Sequence, residues 1–282
     1  MIVTTRRDHN GEPLLAESRR TAIMDMLRSA GAVTVAEVQS RLGVSSMTAR
    51  RDLAELARRD LAQRTHGGAV IPSISAHEDS FAQRLGTATD AKLVLARAAV
   101  DLLHPRDTVF LDSSTTSYFV ARQILEAGIE TTMLTNSLPV MQLVATQAPP
   151  NVELVAVGGL LRRLTQSFVG PDAVRTIQGH FVDHTFLSIK ALSPTGVLTD
   201  ADPLESEVKR AMIAQASSAV LLIDRSKLTA RGLNAIAPAS ELQLVIAHGT
   251  REDELRVLLD SGVAVRSLKA SPAAAGREPA AD

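Results

Sequence analysis

The sequence predicts two successive units, a winged helix-turn-helix of the α+β class and an α/β Rossmann-like domain. Three observations predict them. Three amphipathic helical patterns run from Arg19 to Arg59, followed by two short strand-like runs about Gly67-Gly68. From Asp107 onward, strand-like and helix-like stretches alternate, as parallel α/β folds require. Only 2% of residues are aromatic although 45% are hydrophobic, so the cores must be built from Leu, Val, Ile and Ala. That composition suits strands buried on both faces.

The first helix carries Ile23, Met26, Leu27 and Ala30 at i, i+3, i+4 and i+7, and Gly31 stops it. The second opens on Thr34-Val35-Ala36-Glu37, a capping-box spacing, turns Val38 and Leu42 inward and ends at Gly43. The third follows Val44 with Ser45 as N-cap; its inward set is Ala49, Leu53, Leu56 and Ala57. A tight turn at Gly43-Val44 between two helices is the helix-turn-helix arrangement. Ser46, Met47, Thr48, Arg50 and Arg51 then sit near the N-terminal end of the third helix, away from its apolar set. Recognition helices touch base edges mainly with such residues, and Arg can read guanine bidentately. The bland alternative is a solvated arginine face.

The hairpin after the third helix favours the sharper reading. Leu61–Thr65 and Ala69–Ile71 flank His66-Gly67-Gly68, which reads as a wing, with Arg64 and His66 placed to meet a DNA backbone or minor groove. From Glu17 to Gly67 there are nine arginines against six acids, +3, although the whole chain carries −1. Such asymmetry fits a nucleic-acid module fused to something else.

In the second unit the expected strands are Thr108–Asp112, Thr131–Thr135, Val152–Val157, His184–Ile189, Ala219–Asp224, Leu242–Ala247 and Val263–Leu268. Helical patterns include Thr116–Ala127, Leu138–Gln147, Leu204–Ala216 and Arg251–Ser261. Ligands of such sheets bind at the carboxyl ends of the strands. Asp112-Ser113-Ser114-Thr115-Thr116 ends the first strand and opens a helix, the arrangement that binds phosphate with hydroxyls and free amides; plain N-capping is the alternative. Thr135-Asn136-Ser137, Gly158-Gly159, Lys190, and Asp224 with Lys227 mark further strand ends. Glu205 and Lys209, at i, i+4, would alone read as a surface ion pair. His180 and His184 share that spacing without a third metal ligand, and Lys92 and Arg97 read as a solvated or subunit-facing surface.

The run Val44 to Leu53, the wing from Leu61 to Ala69, and the strand-end set together resemble the DeoR family of bacterial regulators over roughly residues 19–240. The resemblance implies DNA contacts from Ser45, Ser46, Met47, Thr48, Arg50, Arg51, Arg64, His66, Gly67 and Gly68. It implies a sensor domain related in fold to ribose-5-phosphate isomerase. Asp112–Thr116 would hold a phosphate there, with Asp200, Glu205, Lys209 and Lys227 near the sugar. Three positions depart from the family pattern: Ala49 where Ile is usual, Ser113-Ser114 where many members have Gly, and Lys190 where many have a small residue.

The expected organisation is a tail over 1–16, the winged unit over 17–71, a linker over 72–80, the sensor over 81–268 and an Ala/Pro-rich, disordered tail over 269–282. The expected function is a transcriptional regulator, most simply a repressor of carbohydrate genes relieved by a phosphorylated sugar. Its expected partners are double-stranded operator DNA and that effector, acting as a homodimer or homotetramer in the bacterial cytoplasm, at the nucleoid. No Cys occurs, which excludes disulfides and thiolate chemistry. Residues 1–16 lack a secretory apolar core and no apolar run reaches membrane-spanning length, so no membrane role is expected. No catalytic residue, metal or cofactor is expected. The alternatives are a sugar-phosphate isomerase with an appended DNA-binding unit, and a purely architectural DNA binder, which would have no use for a polar strand-end set.

Overall fold

The computed structural model describes residues 16–269 apart from Gly31, Asp60, His66, residues 71–77 and Arg231. The expectations for His66, the stop at Gly31, linker residues 72–77 and the two chain ends fall outside these residues. The chain divides into two compact units, Met1–Glu78 and Asp79–Asp282.

The first unit runs α1 (Ala16–Ala30), β1 (Ala32–Thr34), α2 (Val35–Leu42), α3 (Ser46–Arg58), β2 (Gln63–Arg64) and β3 (Gly68–Val70). The capping box is present: Glu37 N donates to Thr34 Oγ1 at 3.1 Å, and Thr34 N donates to Glu37 Oε2 at 2.7 Å. Gly43 closes α2 at φ 64°, a left-handed conformation glycine adopts without strain. Ser45 accepts from Thr48 N at 3.1 Å and so caps α3. Ile23, Leu27, Val38, Ala49, Leu53 and Leu56 close over one core.

The wing is three-stranded, in the order β1-β3-β2. The sequence gives no sign of β1, because three residues between a glycine and a helix cap show no periodicity. This strand changes the part played by Gly68. Thr34 pairs with Gly68, and a Cβ at Gly68 would stand 2.0 Å from the Val33 carbonyl oxygen. Gly68 is buried within β3 and makes room for β1, a correction to its expected place in an open wing turn. Replacing Gly68 with Ala should destabilise this unit by at least about 2 kcal/mol, since backbone is what would have to move; chemical denaturation would measure it.

The second unit begins with α4 (Phe81–Gly86) and α5 (Thr89–Val100). It continues with β4 (Thr108–Leu111), α6 (Thr115–Ala127), β5 (Thr131–Thr135), α7 (Leu138–Gln147) and β6 (Val152–Ala156). Next come β7 (Leu160–Arg162), β8 (Ser167–Val169), α8 (Pro171–Gln178), β9 (Val182–Leu187), β10 (Ala191–Leu192) and β11 (Val197–Asp200). The chain closes with α9 (Pro203–Ala214), β12 (Ala216–Asp224), α10 (Ser226–Thr229), β13 (Asn234–Pro238), β14 (Leu244–His248), α11 (Arg256–Asp260) and β15 (Ala264–Leu268).

The seven expected strands form one parallel sheet, β15-β14-β12-β9-β4-β5-β6. Along β12, Val220 and Leu222 pack into one core while Leu221 and Ile223 pack into another on the opposite face. That is the strand burial that an aliphatic, aromatic-poor composition serves. The helix expected over Arg251–Ser261 is broken: a 3₁₀ turn over Asp253–Leu255 precedes α11. The Glu254 carboxylate accepts from Arg251 N at 2.9 Å, which caps a tight turn there.

From β4 the chain steps to β5 and β6 on one side, then returns to β9 on the other and continues to β12, β14 and β15. The strand order therefore reverses between β4 and β9. The carboxyl ends at such a reversal form the crevice where open α/β sheets bind ligands.

Candidate functional site

In the first unit, α3 presents Met47, 76% exposed, with Arg50 and Arg51 on the same N-terminal half of the helix. Met47 is too exposed for a core residue and offers an apolar contact beside two guanidinium groups. Arg64 donates from Nη1 to the Arg50 carbonyl at 3.0 Å, so it ties the wing to α3. Gly67 has open space beside it at the wing turn. On the opposite side of α3, Asp52 is buried and takes a forked pair from Arg19, Nε to Oδ2 at 2.9 Å and Nη2 to Oδ1 at 3.3 Å. That pair fixes α3 against α1, and spacing alone gives no sign of it.

In the second unit the crevice is organised by Asp112, fully buried just beyond β4. Its Oδ1 accepts from Ser117 Oγ at 2.6 Å and Ser114 N at 3.0 Å. Its Oδ2 accepts from Lys209 Nζ at 2.6 Å and, across the reversal, from Ser188 N at 3.1 Å. Burial alone would raise this carboxyl, but the Lys209 ammonium and the two serine donors outweigh burial and hold it below its ordinary value. Burial likewise opposes the charge on Lys209, while Asp112, Asp200 and Glu205 overcome that and raise it. Lys209 also donates to the Ser188 carbonyl at 2.6 Å and lies 3.3 Å from Asp200 Oδ2.

Glu205 and Lys209 are thus neither a pair nor a surface feature. Glu205 is buried and accepts from Ser113 Oγ at 2.9 Å and Ser167 Oγ at 2.5 Å. Arg162 approaches Glu205 at 3.5 Å and Asp202 at 3.1 Å. Ser117, Ser167, Ser188 and Arg162 are absent from the sequence-based set. They are small or distant in sequence and acquire meaning only when the strands pair.

The loop itself, Ser113 to Thr116, is buried at the start of α6, with Ser114 as N-cap. Thr115 and Thr116 are the first residues of that helix, so their amides have no carbonyl one turn back. Among the described residues, no protein group bonds their hydroxyls. Helix polarity and open donors are what an anion-binding helix start requires.

Other expected contacts have structural duties. Thr135 donates to the Leu111 carbonyl at 2.7 Å and accepts from Ser137 N. Asn136 donates from Nδ2 to the Phe168 carbonyl at 2.9 Å, while its Oδ1 and the Ser137 hydroxyl are buried without a partner. Gly159 lies at φ 148°, and a Cβ there would meet the Val169 carbonyl at 2.7 Å, so it admits the β7–β8 hairpin. Gly158 has open space beside it. Asp224 accepts from Ser226 N at 2.8 Å at the end of β12, one strand beyond Lys190.

Lys92 corrects the expectation that it is solvated: it is only 5% exposed, whereas Arg97 is exposed. Its Nζ donates to the Arg84 and Thr87 carbonyls at the end of α4. A signal was present, because Lys92, Leu95, Ala96 and Ala99 follow i, i+3, i+4, i+7, so the lysine lies on the buried stripe of α5. Burial, the charge on Lys227 and that on Arg84 push it down to about 8, against the opposing pull of Asp224. Between about 8 and the ordinary lysine value of 10.5, unfolded chains bind more protons at this residue, so stability from it rises with pH across that window. Urea unfolding of wild type minus Lys92→Met should show the rise; a flat difference would refute it.

His180 Nδ1 lies 2.8 Å from the Thr176 carbonyl, while His184 stacks on Phe186 and reaches Asp107 at 3.5 Å. Among the described residues, no group of three or more His, Asp or Glu could hold a metal, and no helix is long and apolar enough to cross a membrane.

What the two units fit together is a regulator, a helix-turn-helix unit followed in sequence by an α/β unit with a ligand-type crevice. Comparison with known proteins agrees. Residues 19–75 match the DeoR-like helix-turn-helix domain and residues 87–248 the DeoR C terminal sensor domain. The chain is 30% identical to the transcriptional repressor GlcR of Bacillus subtilis over 86% of this chain and 93% of that one. It is 32% identical to the transcriptional regulator GlpR of Haloferax volcanii, over 89% and 98%. With the lactose phosphotransferase system repressor of Streptococcus mutans it shares 29% identity, over 84% and 94%. The chain belongs to the DeoR family of transcriptional regulators, with a DNA-binding and a sensor domain. Among solved structures, ribose 5-phosphate isomerase A from Methanocaldococcus jannaschii overlaps 50% of this chain and 55% of that one at 18% identity and a TM-score of 0.36, a likeness that carries no argument about activity.

Proposed function

We propose that this regulator represses carbohydrate genes and releases its operator when a phosphorylated sugar occupies the crevice at the β4–β9 reversal. The observation that carries the reading is the start of α6: Asp112 consumes its own acceptors on Lys209, Ser114, Ser117 and Ser188, which leaves Thr115 and Thr116 as open donors for a phosphate. Lys209, Asp200 and Glu205 line the same crevice from α9 and β11. GlcR and the lactose system relative bear the name of repressor, and the latter's name ties it to a sugar system.

Turnover is not part of the reading. The buried carboxylates Asp112 and Glu205 are spent on internal donors, which disfavours them as bases. The protein works as a homodimer or homotetramer on paired half-sites in the cytoplasm, at the nucleoid. Thermal unfolding against a panel of sugar phosphates, with the free sugars as controls, tests the effector. A ligand at 100 times its Kd adds about 2.7 kcal/mol. Stabilisation that requires the phosphate is expected; stabilisation by free sugars alone would overturn the reading.

A further inference from the structure

The first turn of α3 carries one long side chain that neither the core nor the helix cap uses. Met47 is 76% exposed, more than any other large hydrophobic residue among those described. Its neighbours in that turn are committed to the helix start. Ser45 Oγ accepts from Thr48 N at 3.1 Å and lies 2.9 Å from Thr48 Oγ1, and Ser46 Oγ accepts from Arg50 Nε at 3.4 Å. The Met47 thioether donates no hydrogen bond and accepts only weakly, so whatever it meets must be apolar.

Helical spacing places Met47 on a defined face. Arg50, Arg51 and Ala54 follow it at i+3, i+4 and i+7 and are exposed with it, while Ala49, Asp52, Leu53 and Leu56 are buried on the other side. The face therefore has an apolar tip, two guanidinium groups one turn on, and a small residue that lets a partner come close to the helix. Arg64 steadies the backbone of this stretch from the wing, donating from Nη1 to the Arg50 carbonyl at 3.0 Å. The guanidinium groups call for an anionic partner, and the helix lies in the domain that matches the DeoR-like helix-turn-helix, so that partner is duplex DNA. The edges of the base pairs in the major groove present hydrogen-bond donors and acceptors and a single kind of apolar group, the C5-methyl of thymine.

We infer that Met47 reads a thymine through this methyl group, so that the preferred operator carries a thymine close to a guanine read by Arg50 or Arg51. The inference rests on α3 being the recognition helix and adds the base that its first turn selects. Methionine is unbranched and polarisable, which lets its tip close over a methyl group. Four residues of helix rise about 6 Å, less than two base-pair steps of about 3.4 Å. The thymine and the guanine accordingly fall within about two steps of each other.

Deoxyuridine tests this, because it differs from thymidine by that methyl group alone. Duplexes are selected from a random pool by the full chain, and each thymine of the tightest one is replaced in turn by deoxyuridine. At least one replacement should weaken wild-type binding about fourfold, the worth of one buried methyl group. Met47→Ala should bind the thymine and deoxyuridine forms at that position equally, and Met47→Leu, which keeps an apolar tip, should still prefer thymine. The melting temperature of both variants should match wild type, since Met47 lies outside the core cluster of its unit. If no deoxyuridine replacement weakens wild-type binding, or if Met47→Ala suffers the same loss as wild type, the inference is overturned; a loss of affinity in Arg50→Ala, Arg51→Ala would then leave α3 as the recognition helix. A full chain that selects no sequence from the pool overturns both.

Discussion

Replacing Lys209 with alanine should cost the sensor unit about 3–5 kcal/mol, the penalty for stranding a buried charge. Asp112 is fully buried and its Oδ2 meets the ammonium at 2.6 Å. Three donors, from Ser114, Ser117 and Ser188, would remain, so the carboxylate would be weakened in its surroundings but still held. The double variant Asp112→Asn, Lys209→Met should cost less than the two single changes combined, since the stranded charge is then absent. The pair also sets an acid limit. Asp112 is held below its ordinary 3.8, so its contribution is present above about that pH and is lost as the pH falls through the lower value in the fold. Urea unfolding of the purified variants at neutral and acid pH measures both effects. A Lys209→Ala chain as stable as wild type would mean that Lys209 does not hold the crevice.

Replacing Arg50 and Arg51 together with alanine should weaken binding to selected duplex DNA by roughly a hundredfold or more, at about 1–3 kcal/mol for each lost contact. Both side chains are exposed on α3. Arg50 is lightly tethered, with Nε to Ser46 Oγ at 3.4 Å, and its carbonyl is held by Arg64. The melting temperature should hardly move, because neither side chain belongs to the core cluster of this unit. The comparison with Asp52→Ala separates recognition from folding: Asp52 lies on the same helix but is buried against Arg19, and its loss should lower stability first. Gel shift against duplexes that the wild-type protein selects from a random pool gives the affinity, and a salt series gives the phosphate share of it. Unchanged affinity in the double variant would remove α3 from the recognition role.

Local chemistry makes much of this fold legible in the amino-acid sequence. The Thr34–Glu37 capping box, the Gly43 stop and the Ser45 cap depend on neighbours within a turn, and all three are formed. The seven sheet strands are also local signals, and their ends move by no more than three residues. What stays hidden depends on pairing between distant segments. Strand β1 exists only through its pairing with β3, and it is β1 that leaves no room for a side chain at Gly68. Ser167 meets Glu205 from a hairpin whose residues look like ordinary loop. Glu205 and Lys209 share a helix face, yet they bond Ser113 and Asp112 of the same strand-end loop rather than each other. Lys92 is a case of two local signals in conflict: its charge argues for solvent while its place on the apolar stripe argues for burial, and the stripe wins.

The measurement that tests the central claim most directly is operator binding while the tightest-binding sugar phosphate is titrated in, for wild type and for Thr115→Ala with Thr116→Ala. Both threonines begin α6 at the proposed anion seat. Linkage demands that an effector which weakens DNA binding be itself bound less tightly by the DNA complex. The account predicts that wild type releases the duplex as the sugar phosphate rises, and that the double variant binds the duplex equally well yet stays on it. Release at the same concentration by both proteins would contradict the account and place the effector away from the start of α6.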